Sequence, residues 1–245
     1  MRYRLDVAFH GAEFHGWQKQ PGLRTVQGEL ETWIARLLGD APEVSVVGAG
    51  RTDAGVHAAL MPTHFDQLAP IDADTLYRRL QVALPEDLKA LSLQPVADSF
   101  HARYSASSRR YVYRIRIGHW PFDRDREWQI YEDPDFSVLQ SCADLLMGNH
   151  DFRGFCLANS MRENNRCNIM ESSWHQEGPL LTYTVRADRF LHEMVRLLVG
   201  TSVSAARGLW GSERVYEILQ SGQVGLCGDA APPHGLTLEE VTYPS

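Results

Sequence analysis

Lysine is almost missing from this chain: of 24 basic residues only Lys19 and Lys89 are lysine, and the rest are arginine. Cysteine is scarce as well. Cys142, Cys156, Cys167 and Cys227 form no C-x-x-C pair, which argues against a zinc site and a disulfide framework and fits reduced cytosolic thiols. No apolar run approaches the roughly 20 residues that a membrane-spanning helix needs, so no membrane partner is expected. The opening Met1-Arg2-Tyr3-Arg4 passes straight into a charged, alternating segment, so no signal peptide is expected. A length of 245 residues suits one large or two ordinary domains with a real core.

Acid is in excess overall, with a net charge of −7, yet none occurs between Ser99 and Phe122. That stretch carries Arg103, Arg109, Arg110, Arg114 and Arg116, with Tyr104, Tyr111 and Tyr113 among them. Arginine interleaved with aromatics is a nucleic-acid-binding composition, and arginine favours planar, bidentate phosphate contact. A charge-guarded sheet edge has the same composition.

The densest pattern is Gly48-Ala49-Gly50-Arg51-Thr52-Asp53-Ala54-Gly55-Val56-His57-Ala58, after a β-branched run, 43–47, that reads as a strand. Three glycines in eight residues permit backbone conformations that other residues avoid. A dinucleotide fingerprint would need glycine where Asp53 stands, and a phosphate loop would need Lys-Ser or Lys-Thr after the last glycine. Both nucleotide readings fail, leaving a loop that presents Arg51 and Asp53. By itself, Arg-Thr-Asp is also compatible with an ordinary capped turn.

The whole run resembles the active-site motif of the TruA family of tRNA pseudouridine synthases. Phe9-His10-Gly11, Gly16-Trp17-Gln18 and Val26-Gln27 resemble the family's opening. Phe100-His101-Ala102-Arg103-Tyr104-Ser105-Ala106 with Arg109-Arg110-Tyr111 resembles its second signature, and Phe190-Leu191-His192-Glu193-Met194-Val195-Arg196 with Val199-Gly200 its third. His234-Gly235-Leu236 and Val241-Thr242-Tyr243-Pro244 resemble the last strand. Glu193 departs from the pattern, standing where many members have a second histidine. The resemblance implies Asp53 as the catalytic carboxylate, Arg196 as its basic partner and Tyr111 as an active-site ring. It implies Arg51 on the RNA, helping to hold the target uridine out of its stack, and Leu236 near the target base; the arginine-rich second signature adds Arg103 and Arg110 as RNA contacts. It also implies isomerisation of uridine to pseudouridine at positions 38, 39 and 40 of the tRNA anticodon stem-loop by a cytoplasmic homodimer, with no cofactor and no metal.

Residue patterns agree with an α+β protein. Tyr3, Leu5, Val7 and Phe9 alternate as a half-buried strand. Thr25 opens a helix that Gly39 ends; 72–84 reads as a second helix stopped by Pro85, and 88–96 as a strand. A second half repeats the plan: a strand through 111–117, a helix over 135–147, strands near 168–175 and 180–187, helices over 191–206 and 212–220, and a strand near 237–243. The family's fold is two pseudo-symmetric α/β domains sharing a mixed, mostly antiparallel sheet with a central RNA-binding cleft. The expected division is 1–104, carrying the Asp53 loop, and 105–245.

Each candidate also has an ordinary reading. Arg196 interrupts an apolar helix as a snorkelling side chain does, Tyr111 fits a strand core, and His57 suits a phosphate contact or a hydrogen bond that steadies the loop. Two other classes compete: an RNA-binding module with a vestigial loop, disfavoured by the joint presence of Asp53, Tyr111 and Arg196, and a hydrolase using Asp53. A glycosidase normally needs a second carboxylate opposite the first, and the loop has one.

Overall fold

The computed structural model describes residues 1–39, 44–157, 161 and 163–244. Ten strands and five α-helices among them make an α+β protein of two compact units, Met1–Ser107 with Thr237 onward, and Ser108–Leu236. The division is not one cut in sequence: the end of the chain comes back to the first unit.

In the first unit, β1 (Arg2–Phe9) turns Tyr3, Leu5, Val7 and Phe9 inward. It lies antiparallel to β3 (His57–Asp66) and to β4 (Leu88–Val96), so that Leu5 faces Thr63 on one side and Leu93 on the other. Strand β10 (Leu236–Thr242) joins β3 in parallel through Thr237–His57 and Leu238–Ala58. Helix α1 (Val26–Leu37) starts where the Thr25 hydroxyl accepts the Gly28 N–H, and α2 (Ala73–Ala83) where the Asp72 carboxylate accepts the Thr75 N–H; both are N-caps of the expected kind. The turn after α1 ends at Gly39 with φ of 80°, a conformation glycine adopts freely. Val26, Leu30, Ile34, Leu76 and Leu80 are the buried apolar residues of the two helices.

One expectation fails here. The strand read over 43–47 is only β2, Val47–Gly48, paired with His64 and Thr63; Glu43 lies outside the described residues. Val44 and Val46 are buried as β-branched residues should be, but the Val46 N–H goes to the Glu31 carboxylate at 3.1 Å instead of to a neighbouring strand.

His64 on β3 is 4% exposed, and its Nδ1 accepts the Ala102 N–H at 3.1 Å. Burial, reinforced by the charge of Arg2 and by His101, whose ring lies 4.7 Å away, pushes its imidazole down to about 4. Unfolded histidine titrates near 6.5, so between those values the unfolded chain binds the extra proton. This group therefore leaves stability unchanged above about pH 6.5 and lowers it progressively as pH falls toward 4. Urea unfolding across that range should give a shallower acid slope for His64→Gln than for the natural chain.

In the second unit, β5 (Ser108–Ile117), β9 (Leu180–Ala187), β8 (Arg166–Glu177) and β7 (Gly148–Asp151) run antiparallel in that order, and β6 (Trp128–Ile130) pairs in parallel with β5. Helix α3 (Phe136–Leu145), capped by Asp135, packs on β8 and on α4 (Met194–Ala206); α5 (Glu213–Ser221) packs on α3 and α4. The helix read over 191–206 begins three residues late because Glu193 takes a left-handed backbone, φ 59° and ψ 3°, which breaks the right-handed run. No helix among the described residues is long and apolar enough to cross a membrane.

Candidate active site

The first unit contains the Asp53 loop, between β2 and β3. It is gripped from one side by the segment that follows β1. Trp17 N–H donates to the Thr52 carbonyl at 3.1 Å, Gly55 N–H to the Phe14 carbonyl at 3.3 Å, and Val56 N–H closes the turn on the Asp53 carbonyl at 3.2 Å. Gly48 lies against the indole of Trp17, where a Cβ would stand 2.6 Å from a ring carbon. Gly55 has φ of 81°. Gly50 has open space around it and no such φ, so two of the three glycines, not all three, are required by geometry. Asp53 is half-buried and Arg51 exposed, as a presenting loop demands.

The segments Gly16-Trp17-Gln18 and Val26-Gln27 belong to the same construction. Gln18 Nε2 donates to Gln27 Oε1 at 2.7 Å, Gln27 Nε2 to Glu31 Oε1 at 2.9 Å, and that same oxygen accepts the buried Val46 N–H just before β2. Lys19 Nζ closes on Glu31 Oε2 at 2.9 Å. Glu31 gave no signal in sequence, because it sits on the apolar face of α1. Glu31→Ala would leave the Val46 N–H without its acceptor, at a cost of about 1–3 kcal/mol, and loosen the approach to the loop. The expected result is a lower melting temperature together with reduced turnover, both largely restored in Glu31→Gln. His57 serves the loop too: its Nδ1 accepts the Gly11 N–H at 2.9 Å, and the ring is 5% exposed.

Much of the second signature is structural. His101 Nδ1 accepts the N–H groups of Arg103 and Tyr104, each at 3.2 Å, and Tyr243 O–H donates to the Ala102 carbonyl at 2.8 Å. The Arg103 guanidinium stands 5.8 Å from the ring of Tyr104, which is exposed.

The second unit places Tyr111 on β5 opposite Val185, 8% exposed, with Phe190 edge-on at 5.2 Å. Arg110 faces Arg186 across the ladder, and both lie near Glu171, at 3.6 and 3.5 Å. Arg116 pairs with the buried Glu127. Two arginines of the acid-free run, Arg110 and Arg116, therefore meet carboxylates from elsewhere in the chain. Arg186 escaped notice because no aromatic run surrounds it.

Arg196 on α4 has a mostly buried side chain. Its Nε donates to the Ala231 carbonyl at 2.7 Å and its NH1 to Glu193 Oε1 at 3.0 Å, while its own carbonyl accepts the Ala231 N–H at 3.0 Å. Gly200 permits this clasp: a Cβ there would fall 1.8 Å from the Asp229 carbonyl oxygen. The same segment is tied to β5 by Tyr113, whose hydroxyl donates to the Pro232 carbonyl at 2.7 Å, and leads through a turn at Pro233–Gly235 to buried Leu236. Burial pushes the Cys142 and Cys167 thiols up to about 11 and about 12, away from nucleophilic or metal-binding use.

A family model described as tRNA pseudouridine synthase matches residues 7–105 and 142–244, a range that takes in Arg51, Asp53, Arg196 and Leu236 but not Arg110 or Tyr111. The chain is also similar to proteins called tRNA pseudouridine synthase A. It is 37% identical over 244 residues to one from Parabacteroides distasonis (99% of this chain, 96% of the relative). It is 39% identical over 245 residues to one from Rippkaea orientalis (99% and 83%) and 38% over 247 residues to one from Dictyoglomus thermophilum (99% and 100%).

Proposed function

This chain belongs to the tRNA pseudouridine synthase family, and from that membership we propose that it isomerises uridine to pseudouridine in tRNA, at positions 38, 39 and 40 of the anticodon stem-loop. The strongest single support within the molecule is the 48–56 loop: a turn braced from one side by Phe14 and Trp17 that presents one carboxylate, Asp53.

The reaction breaks the bond from C1′ of the ribose to N1 of the base and joins C1′ to C5. N1 gains a proton and C5 loses one. Nothing is oxidised and no water is consumed, so the atoms balance without a redox cofactor or an activated water. The chemistry requires a carboxylate able to attack carbon and a group to move the C5 proton. Asp53 is assigned the first task, at the sugar or at the pyrimidine ring. Arg196 supplies the cation that keeps such a carboxylate ionised where water is scarce. The target base has to leave its stack, at a cost of a few kcal/mol. Arg51 is assigned to the space it vacates, Tyr111 and Leu236 to the base itself, and Arg103 and Arg110 to phosphates. Tyr111→Phe keeps the ring and removes the hydroxyl, so kcat should fall with KM for tRNA unchanged; equal losses in both would assign the hydroxyl to binding.

The enzyme is proposed to act in the cytoplasm as a homodimer, one protomer holding the body of the tRNA while the other does the chemistry. A protomer of net charge −7 with one arginine stripe gains a second stripe across a two-fold axis. The test is tritium release from tRNA transcripts labelled at C5 of uridine, with U38, U39 and U40 replaced by C singly and together. Release that disappears only in the triple replacement supports the assignment; undiminished release there would move the target elsewhere in the tRNA, and no release from any transcript would refute the isomerase.

A further inference from the structure

We propose that Glu193 is a positioning residue that orients the Arg196 guanidinium; the inference rests on the assignment of Arg196 to the reaction. Glu193 is the one residue other than glycine with positive φ among the described residues. Left-handed backbone is unfavourable for a side chain of this kind; asparagine and aspartate tolerate it because their short side chains bond locally. Strain of this sort persists where the surrounding structure demands it, and it gathers at functional sites.

Capping does not account for it. Glu193 precedes α4 at the N-cap position, yet its side chain makes no capping hydrogen bond, and only its carbonyl enters the helix, accepting the Leu197 N–H at 3.0 Å. The carboxylate instead reaches one turn ahead to NH1 of Arg196, at 3.0 Å. On the adjacent corner of the same guanidinium, Nε donates to the Ala231 carbonyl at 2.7 Å. A guanidinium is a rigid planar fork, so anchors at Nε and NH1 define its plane and its rotation about the side-chain axis. Neither anchor is loose. Ala231 is buried and tied back to the Arg196 carbonyl, and the preceding segment rests on Gly200 at a distance that admits no Cβ. The Glu193 and Arg196 side chains are 21% and 14% exposed, so the pair is less screened than an ordinary surface pair three residues apart. The left-handed turn thus aims the carboxylate that holds Arg196 in one orientation, and orientation of charged groups is a large part of catalytic rate.

The prediction separates positioning from structure because turnover should fall without a matching fall in stability. Glycine relaxes the left-handed turn, which offsets the loss of the pair with Arg196, so Glu193→Gly should melt near the natural chain. Its kcat for tritium release from tRNA should nevertheless fall by about tenfold or more, with KM for tRNA within about threefold of the natural enzyme. Glu193→Gln keeps the acceptor oxygen at the same reach and should hold kcat within about threefold. Full kcat in Glu193→Gly would overturn the proposal while leaving the isomerase assignment intact. A glutamine variant as slow as the glycine variant would overturn it too, since charge and not placement would then be the requirement. Absence of release by the natural enzyme would refute the underlying assignment, and this inference with it.

Discussion

Asp53→Asn is expected to lower kcat by on the order of 10⁴-fold, the upper range for losing a group that takes part in proton or bond transfer, while the fold and the grip on tRNA survive. The substitution changes one atom of a half-buried side chain. The hydrogen bonds that shape the loop are backbone bonds: Val56 to the Asp53 carbonyl, Trp17 to the Thr52 carbonyl and Gly55 to the Phe14 carbonyl. None of these three requires the carboxylate, and asparagine keeps its shape and an acceptor oxygen, so the loop should keep its course. Binding should be equal or tighter, because the variant presents one negative charge fewer to a polyanion. The measurements are single-turnover tritium release and filter binding at fixed salt, side by side. Turnover within tenfold of the natural enzyme would remove Asp53 from the chemistry; loss of binding in step with turnover would make it a recognition residue.

Arg196→Met carries the second large effect, and it has two parts. With Arg196 and Asp53 in their proposed roles, loss of the cation should reduce kcat about 10²- to 10³-fold, the size found for removal of a single stabilising group from a water-poor site. The Ala231 carbonyl and the Glu193 carboxylate also lose their donors, which should cost about 1–3 kcal/mol of stability. Arg196→Lys distinguishes the two parts. It keeps the charge, but an ammonium at the end of a flexible stem does not reproduce a planar fork held at two corners. Thermal unfolding should therefore recover more completely than turnover. If Arg196→Met keeps full turnover, Arg196 is a snorkelling helix residue whose clasp on Ala231 is structural alone.

The candidate site residues could be picked out in order along the chain because each sits in a short motif dense in glycine, arginine and aromatics. What the motifs are for was legible only in part. Gly16-Trp17-Gln18 reads as a signature, but its task is mechanical: Trp17 fills the space above Gly48 and Gln18 starts the chain of hydrogen bonds through Gln27 and Glu31 to Val46. His57 was open between phosphate contact and loop support, and its bond to the Gly11 N–H gives it loop support. Period-two patterning placed β1, whose Tyr3, Leu5, Val7 and Phe9 are all buried, because alternation is a local consequence of the pleat. The run over 43–47 misled because β-branched residues are equally content in a buried irregular segment once Glu31 satisfies the backbone.

By itself, the sequence determined the α+β class, the helix starts at Thr25, Asp72 and Asp135, and the identity of the loop that presents Asp53, since caps, alternation and glycine turns depend on residues within a few positions of one another. Tertiary structure alone decided the return of the last strand beside β3, the reach of Glu31 to Val46 across 15 residues, the clasp of Arg196 by Ala231 across 35, and the left-handed turn at Glu193 that starts α4 late. Those features depend on where distant backbone comes to rest, and a buried polar group takes whichever partner the folded chain brings within about 3 Å.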